Sequence, residues 1–527
     1  MSDRVLIIGA GPTGLTAALE LARLGVPVRI VEKRPEPPTT SRAIGVQART
    51  LELLDRRGLA SELVRVGNRV LGGTPHGGGK PLLHLDFTRI DSPFPFILMV
   101  SQAETERVLR EAIGKLGVVI ERGVELVGIA QDAHSADPNP VKAVLRHPDG
   151  RMERAEAPWL ISAEGAHSSV RATLDLPFEG RTFESNYALG DLYADGDLPE
   201  ADMQIFTSDR GFLAVFPLGG RHFRLIVAQP DGDPKRGTPP TIEELQAVYD
   251  DRAEVPARFR DLAWSSWFWI NSRMVARLRV GRFLLGGDSA HIHSPAGAQG
   301  MNTGIQDMIN LGWKLAWVIR GHAPESLLDT YEQDRLPVMR NVLSNTERLT
   351  GMIGSEDPVV RGLFNHLGPW IGGTGLVQNE GPTRMSQIAV GYRQSPLSAN
   401  HAHGGTLHAG DRLPDLPMRA LRGEVWSDAR LFELLDPSRF VLLIVHPEGS
   451  DLGSSELREA AREWPDLIGV EELSAPADDE ANARFRSAFG RPGGAFLARP
   501  DGYLGLASGL RSGAGDLREY GRRWLKA

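Results

Sequence analysis

The stretch Val5-Leu-Ile-Ile-Gly9-Ala-Gly11-Pro-Thr-Gly14 decides the fold, because it places a glycine-rich turn between an apolar run and an amphipathic helix. The apolar run is typical of a buried strand. A helix is predicted over 12–24, where Gly25 ends it, and a second strand over 28–31. These three elements predict the strand–helix–strand unit that begins a Rossmann-type, doubly wound α/β sheet.

The glycines alone prove little, because a chain with 59 glycines contains GxGxxG roughly 0.7 times by chance. Their setting is more specific, since Glu32 ends the next strand eighteen residues after Gly14. Such a turn brings a pyrophosphate to a helix N-terminus, and the acid accepts hydrogen bonds from ribose hydroxyls. The alternative is a tight turn with a surface glutamate. No second GxGxxG occurs in this setting, so a separate NAD(P)H-binding Rossmann unit is not expected.

Length and composition exclude several classes of protein. A chain of 527 residues exceeds one hydrophobic core, so two or three domains are expected. The net charge of -8 and pI near 6.0 argue against nucleic acid or an anionic membrane as partner. No cysteine is present, which excludes disulfides and thiolate metal sites. No apolar run reaches membrane-spanning length, and we expect a cytoplasmic enzyme.

The pattern along the chain predicts three domains. Short apolar runs that alternate with helical patterns over 1–180 and 276–400 are typical of a parallel sheet and predict one discontinuous nucleotide-binding domain. Alternating runs over 181–275 predict an inserted, mainly antiparallel substrate domain, which we expect to include part of 70–100. Residues 401–527 read as a separate α/β unit. The glycine-rich stretch 74–80 is predicted to be a turn, and it is not a phosphate-binding P-loop because Pro81 follows Lys80.

The second informative stretch is Gly281-Arg-Phe-Leu-Leu-Gly-Gly-Asp288-Ser-Ala-His-Ile-His-Ser-Pro295-Ala-Gly-Ala-Gln-Gly300-Met-Asn302-Thr-Gly304. A strand ends near Asp288, a glycine-rich loop follows, and a long helix is predicted over 303–320. The positive helix N-terminus suits the anionic side of a reduced flavin, and Asp288 can bind ribityl hydroxyls.

With this stretch, the chain resembles the class A flavoprotein monooxygenases, the aromatic hydroxylases of para-hydroxybenzoate hydroxylase and phenol hydroxylase type. The similarity covers about residues 3–350. It implies a Rossmann-type FAD-binding domain with an inserted β-sheet substrate domain. The C-terminal unit, with Ala409-Gly-Asp-Arg-Leu-Pro and Ala498-Arg-Pro-Asp-Gly-Tyr503, resembles the thioredoxin-like domain of the phenol-hydroxylase type. Without cysteine it cannot perform disulfide chemistry, so a structural role is expected, with a homodimer interface left open.

The resemblance also implies which residues contact non-covalent FAD. Arg42 is expected near the pyrophosphate, Gln102 near the ribityl and phosphate groups, and Arg224 near the flavin. Glu164 stands where the family usually has aspartate, so its contacts are expected to be adjusted. The full set of expected cofactor-binding residues is Gly9, Gly11, Pro12, Thr13, Gly14, Glu32, Lys33, Arg42, Gln102, Glu164, Gly287, Asp288, Pro295, Gly300, Met301 and Asn302, with Arg224 and Pro295 also assigned to the catalytic flavin environment.

The implied reaction uses NADPH or NADH to reduce the flavin and O2 to form a C4a-hydroperoxide, which hydroxylates a phenolic or polycyclic aromatic ring. Two alternatives stay open. One is a flavin monooxygenase that performs Baeyer–Villiger insertion or N-hydroxylation on an aromatic polyketide or antibiotic. The other is a flavin-binding protein without turnover. No general base is assigned.

Four aromatic residues are candidates for the substrate pocket: Phe212, Phe216, Trp267 and Trp269, although aromatic residues in a sheet are more often core. The tryptophans lack the Trp-x-Trp-x-Ile-Pro pattern of flavin-dependent halogenases. His291 and His293 lie near Asp288, but without further ligands no metal site is predicted.

Overall fold

A computed structural model gives the fold. It describes residues 3–39, 43–130, 140–208, 211–229, 238–293, 298–353, 381–401, 404–447 and 454–526. Among these, no helix has both the length and the apolar character needed to cross a bilayer.

A six-stranded sheet forms the centre of the first domain, and β1 lies within it because its four residues are fully buried. The strand order is β19-β20-β13-β1-β2-β9, parallel except for β19. The strands are β1 Val5–Ile8, β2 Val28–Glu32, β9 Ile120–Arg122, β13 Leu160–Ser162, β19 Arg279–Val280 and β20 Phe283–Leu285. The predicted strand–helix–strand unit is therefore present at the centre of this sheet.

Helices cover this sheet and carry the chain between its strands. They are α1 Pro12–Arg23, α2 Ala48–Asp55, α3 Ala60–Val66, α4 Gln102–Lys115, α5 Ser169–Thr173, α7 Gly300–Ile319 and α8 Asp329–Ile353. Helix α7 packs along α1 and is buried over almost its whole length, which explains its apolar composition.

Two three-stranded sheets flank the first domain. One has the order β3-β8-β4 and the other β10-β11-β12. Their strands are β3 Gly45–Val46, β4 Asn68–Val70, β8 Ile97–Met99, β10 Glu125–Ala130, β11 Val141–Arg146 and β12 Met152–Ala157.

The substrate-side sheet combines strands from 181–275 with strands from 70–100. Its order is β21-β18-β14-β17-β16-β15-β5-β6, with β7 paired to β5. The strands are β5 Gly72–Gly77, β6 Lys80–Pro81, β7 Leu85–Asp86, β14 Glu179–Gly196, β15 Asp202–Ser208, β16 Gly211–Gly219, β17 His222–Gln229, β18 Ala257–Met274 and β21 His291–Ile292. Helix α6, Ile242–Arg252, packs on one face.

The predicted turn at 74–80 is wrong for its first half. Residues Thr74 to Gly77 belong to β5, which pairs in parallel with β15 across the register Gly72↔Asp202 to Gly77↔Thr207. Strand β5 pairs with a strand about 130 residues away in sequence. The local sequence does not reveal this partner, and its glycine content by itself predicts a turn. The actual turn is at Gly78 and Gly79, both with positive φ.

The C-terminal unit is a mixed sheet with the order β22-β28-β27-β25-β26-β23-β24. Its elements are β22 Ala399–Asn400, β23 Pro417–Arg422, β24 Val425–Arg430, α9 Leu431–Leu434, β25 Phe440–Val445, α10 Ser454–Ala461, β26 Ile468–Ser474, α11 Asp479–Phe489, β27 Gly494–Ala498, β28 Leu504–Ser508 and α12 Gly513–Trp524. The central order β28-β27-β25-β26, built as βαβαββα, is the thioredoxin-like arrangement that the sequence predicts.

Candidate active site

A cleft of about 480 Å³ opens at the carboxyl ends of β1, β2 and β13. It is bounded by the N-terminal turns of α1, α4 and α7 and by the substrate-side sheet. Crevices at this end of a parallel sheet are where doubly wound folds bind their ligands. The lining includes these predicted residues: Gly9, Gly11, Pro12, Thr13, Glu32, Lys33, Gln102, Glu164, Phe216, Asp288, Gly300 and Met301.

The turn between β1 and α1 needs its glycines for two different reasons. A Cβ at Gly9, whose φ is +100°, would lie 2.3 Å from the carbonyl oxygen of Ala163 on the neighbouring chain segment. A Cβ at Gly14 would lie 1.9 Å from the carbonyl oxygen of Gly9, so Gly14 serves the packing of the turn and does not line the cleft. Gly11 precedes α1, has open space beside it and lines the cleft, so a ligand can approach its backbone closely.

The N-terminus of α7 also borders the cleft. Gln299 precedes this helix without a side-chain cap, as Gly11 precedes α1. The adjacent Asn302 is fully buried and holds the helix start in place. Its Oδ1 accepts from the backbone N–H of Gln47 (2.9 Å), and its Nδ2 donates to the carbonyl of Gly45 (2.8 Å). Two helix N-termini therefore present partial positive charge to one cleft, which suits an anionic ligand.

Polar side chains of β2 and α4 form one rim. Glu32 Oε2 accepts from the N–H of Ala10 (2.8 Å), so the acid also closes the glycine turn. Gln102 Nε2 donates to Glu106 Oε1 (2.8 Å), and burial raises the pKa of Glu106 above its usual value. Glu106 lines the cleft but was not predicted; its position one helical turn after Gln102 is the signal that could have identified it.

A buried carboxylate supports the loop that carries Asp288. Asp307 Oδ2 accepts from the N–H of Gly287 (3.1 Å) and from His291 Nε2 (2.8 Å), while its Oδ1 accepts from Arg335 Nε (2.7 Å). Burial opposes ionisation of Asp307, but Arg335 and His291 outweigh it and lower the pKa. Gly287 itself packs against Thr13, and Asp288 is exposed to the cleft.

His291 is therefore bonded to a carboxylate that an arginine already neutralises. In the described ranges, no group of three His, Asp or Glu side chains has the geometry of a metal site.

The carboxylate of Glu164 contacts the start of α5. Its Oε2 accepts from the hydroxyls of Ser162 (2.9 Å) and Ser168 (2.7 Å) and from the N–H of Val170 (3.1 Å). Its Oε1 accepts from the N–H and the hydroxyl of Ser169. The residue lines the cleft, but these local donors occupy both carboxylate oxygens.

One face of the substrate-side sheet continues the cleft as an aromatic surface. Phe216 and Ile226 line the cleft, and Phe212 packs in the same cluster with Tyr187 and Phe268. Tyr187 stacks on Phe268 with ring centroids 5.5 Å apart, and the Phe212 ring lies 6.0 Å away. Phe212 does not itself line the cleft, but it extends the same apolar face beyond Phe216.

The two predicted pocket tryptophans lie on the other face of this sheet, so that expectation is corrected. Side chains alternate along β18, and Phe268 faces the cleft side. Trp267 packs instead with the cluster beneath α6, and its Nε1 donates to the carbonyl of Thr238 (3.1 Å). Trp269 shares that alternation and is 48% exposed.

Arg224 is buried beside the cleft and does not line it. Its Nε and Nη2 donate to the two carboxylate oxygens of Asp191 (2.5 and 2.6 Å). It stands opposite Phe216 in the β16–β17 register. The remaining two predicted residues, Arg42 and Pro295, lie outside the described residues.

The donor set fits FAD. The glycine turn and α1 provide a bare backbone for a diphosphate, Glu32 ends the strand where a ribose is held, and the bare start of α7 lies in the same cleft. With a Rossmann-type domain, an apolar sheet face beside the cleft and a thioredoxin-like unit, the molecule has the architecture of an FAD-binding protein.

Comparisons with known proteins specify the family. Residues 3–346 match the family described as FAD binding domain, and residues 406–527 match aromatic-ring hydroxylase, C-terminal. The chain is 37% identical to 6-methylpretetramide 4-monooxygenase of Streptomyces rimosus, over 97% of this chain and 91% of that protein. It is 32% identical to pentachlorophenol 4-monooxygenase of Sphingobium chlorophenolicum, over 97% and 94%. The solved anhydrotetracycline hydroxylase from Streptomyces rimosus superposes with a TM-score of 0.80 at 32% identity, covering 99% and 98%.

The chain belongs to the FAD-dependent aromatic-ring hydroxylases. It is a flavin-dependent monooxygenase with FAD as cofactor and NAD(P)H as electron donor. The family, fold class and cofactor predicted from the sequence are confirmed, and the alternative of a flavin-binding protein without turnover is set aside.

Proposed function

We propose that this enzyme hydroxylates a phenolic substrate with several fused rings. The observation that carries the proposal is the aromatic face formed by Tyr187, Phe212, Phe216 and Phe268, which spans neighbouring strands and adjoins the FAD cleft. A flat apolar surface of this extent suits a planar ring system better than a single ring. The similarity to enzymes named for tetracycline-type compounds supports the same choice.

The roles of the cleft residues follow from their positions. Bound FAD supplies hydride acceptance from NAD(P)H and activation of O2. In our proposal the turn Gly9 to Gly14 and the start of α1 hold the diphosphate, and Glu32 holds the adenosine ribose. Asp288 and Gln102 face the ribityl chain. The start of α7, with Gly300 and Met301, stabilises negative charge on the flavin ring.

Three further assignments stay proposals. Arg42 is proposed to contact the diphosphate, and Pro295 to border the flavin. Arg224 is proposed to act through Asp191, as a buried ion pair that fixes the sheet beside the flavin. The domain limits 1–180 with 276–400, 181–275 with part of 70–100, and 401–527 are likewise proposed.

The aromatic face is also proposed to exclude water from the reacting atoms. Ile226 and Phe216 border the cleft with apolar groups, and Tyr187, Ala214, Ala228 and Ile270 are buried beside them in the same cluster. A dry site favours transfer of oxygen to the ring over loss of hydrogen peroxide.

Anaerobic stopped-flow reduction tests the proposed substrate class. FAD-loaded enzyme is mixed with NADPH or NADH in the presence of phenols with one to four rings. We expect fused-ring phenols to accelerate bleaching of the flavin more than single-ring phenols. Equal acceleration by every compound would contradict the proposed number of rings. A separate measurement, the incorporation of labelled O2 at a ring carbon of the product, distinguishes hydroxylation from Baeyer–Villiger insertion and N-hydroxylation.

Neighbouring residues of β18 provide a matched pair of variants. Phe268→Leu alters the cleft-facing surface, and Trp269→Leu alters the opposite face. We expect KM for the aromatic substrate to rise about tenfold in the first variant, because apolar contact of roughly 1–2 kcal/mol is lost. KM should stay unchanged in the second. A larger rise in KM from Trp269→Leu would indicate that the substrate binds on the opposite face of the sheet and would contradict the proposal.

A further inference from the structure

The turn between β27 and β28 of the C-terminal unit inserts into the FAD-binding domain. Arg499 and Asp501 of this turn are buried, together with Lys314 of α7 and Asp334 of α8. Two acids and two bases from separate domains thus share one solvent-free position.

These four charges are joined directly to α7. Arg499 Nη2 donates to Asp334 Oδ2 (2.8 Å) and to Asp501 Oδ2 (2.6 Å). Asn310 Nδ2 donates to the same oxygens of Asp334 (3.0 Å) and Asp501 (3.1 Å), and Lys314 Nζ donates to Asp334 (2.8 Å). Asn310 and Lys314 follow the cleft-lining start of α7 on the same rigid helix.

A second route runs from the turn to the loop that carries Asp288. Tyr503 packs on Tyr392 with ring centroids 4.2 Å apart. Tyr392 accepts a hydrogen bond from Arg335 Nη1 (2.9 Å), and Arg335 Nε donates to Asp307. Asp307 in turn accepts from the N–H of Gly287, the residue before Asp288.

We propose that the turn Arg499 to Tyr503 positions the FAD site from behind, through α7 and through Asp307. The C-terminal unit is then part of the cofactor site, and Arg499 and Asp501 are its positioning residues. Buried ion pairs contribute little net free energy to the contact between two domains, because the cost of desolvating the charges offsets much of their attraction. They do, however, restrict packed elements to one arrangement, which a cofactor site requires.

The test is the FAD dissociation constant, measured by flavin fluorescence on apoprotein reconstituted with FAD. Arg499→Gln removes the charge that joins Asp334 to Asp501, and Asn310→Ala removes a neutral link between α7 and the turn. Arg484→Gln is the matched control, because Arg484 and Asp91 form an exposed ion pair between the same two domains (2.8 Å). We expect both interior variants to weaken FAD binding by about tenfold, the scale of coupling through packed networks.

The outcomes distinguish a role in positioning the FAD site from a role that only stabilises the contact between the two domains. Weaker FAD binding with native circular dichroism, unchanged binding in Arg484→Gln and partial recovery in Arg499→Lys would support the proposal. Lower melting temperatures with an FAD dissociation constant equal to that of Arg484→Gln would overturn it. If Arg499→Gln does not fold, Asn310→Ala decides between the same two results. FAD binding is measured without aromatic substrate, so the result does not depend on the proposed substrate class.

Discussion

At the scale of single residues, Glu164 is a carboxylate that binds the first N–H groups of a helix beside the cleft. The side chain reaches the N–H groups of Ser169 and Val170, where α5 begins, and both oxygens are engaged by local donors. A charged cap at a helix N-terminus is favoured by the unpaired N–H groups and by the helix dipole. Glu164 therefore stabilises the loop beside the cleft through α5.

Glu164→Ala is expected to lower the free energy of unfolding by about 2 kcal/mol, because the N–H groups of Ser169 and Val170 at the start of α5 lose their acceptor. Urea denaturation measures the change. Glu156→Ala, at an exposed position of β12, is the control and should change stability little. Equal effects of the two substitutions would contradict the capping role.

The buried Glu20 predicts a specific acid sensitivity. Burial raises its pKa, but Arg23 and Arg57 outweigh burial and lower the pKa from 4.5 to about 2. The unfolded chain therefore binds this proton first as pH falls, and the stabilisation, present above pH 4.5, is lost as the pH approaches 2. Denaturant titrations from pH 6 to 3 should show this loss, with a smaller pH dependence in Glu20→Gln. An identical pH dependence in that variant would contradict the assignment.

Arg56 carries a buried guanidinium that has no hydrogen-bond partner among the described residues. Its three guanidinium nitrogens are inaccessible and make no hydrogen bond to the described residues, and one lies against Gly502. Burial lowers its pKa to about 9, with further lowering by Arg57 and Arg49. Arg56→Met is expected to raise the free energy of unfolding by about 1 kcal/mol, because an unsatisfied polar group is removed and the aliphatic stem is kept. A lower melting temperature for this variant would show that the guanidinium has a stabilising contact.

At the scale of elements, the approach of α1 to α7 depends on glycines of α7. A Cβ at Gly312 would lie 2.3 Å from Cβ of Glu20, and one at Gly304 would lie 2.5 Å from Oγ1 of Thr13. The two helices can touch along their backbones only because these positions carry no side chain. Since both helices present their N-termini to the cleft, their separation sets the width of the FAD site.

Gly312→Ala should lower the free energy of unfolding by about 1–3 kcal/mol through overpacking, and FAD binding should weaken with it. Gly114→Ala in α4 is the matched control, because a Cβ there meets no atom within 4 Å. That control should be neutral or stabilising, since alanine is the better helix former. Denaturation and FAD titration of both variants provide the comparison. A Gly312→Ala protein as stable as the Gly114→Ala protein would show that α1 and α7 can separate freely.

At the scale of the whole molecule, the FAD-binding and C-terminal domains share one hydrophobic core. Phe440 of β25 packs against Trp313 and Trp317 of α7, with ring centroids 5.7 and 5.4 Å apart. Residues of both domains belong to the same buried cluster. The C-terminal unit is therefore joined to α7 by apolar packing as well as by the charges around Arg499.

Phe440→Ala should lower the free energy of unfolding by about 3–5 kcal/mol and loosen both domains together. Calorimetry of the native protein is expected to show the FAD-binding and C-terminal domains unfolding in one transition. Phe489→Ala, at an aromatic position within the C-terminal core, is the comparison, because it removes a similar side chain and leaves the contacts of Phe440 with α7 in place. Two resolved transitions in the native protein would contradict the shared core.

Short stretches of sequence were enough to predict the first strand–helix–strand unit, the FAD-binding turn and the family. These features depend on short-range patterns: strand β1, the glycines at 9, 11 and 14, Glu32, and the segment from Gly281 to Gly304. The strand–helix–strand unit follows from local backbone geometry and periodicity, which neighbouring residues fix, whereas the family and its cofactor follow from the resemblance that the segment from Gly281 to Gly304 carries.

Which faces meet depends on contacts that appear only in the folded chain. The tertiary structure placed Trp267 and Trp269 away from the cleft, assigned Thr74 to Gly77 to a strand, and brought Arg499 to Asp334. The physical reason is that strand pairing, the choice of sheet face and buried ion pairs depend on partners far apart in sequence. Local patterns carry no information about such partners. The cofactor could therefore be predicted from the sequence, whereas the side chains that line the substrate side of its site and the contacts with the C-terminal unit could not.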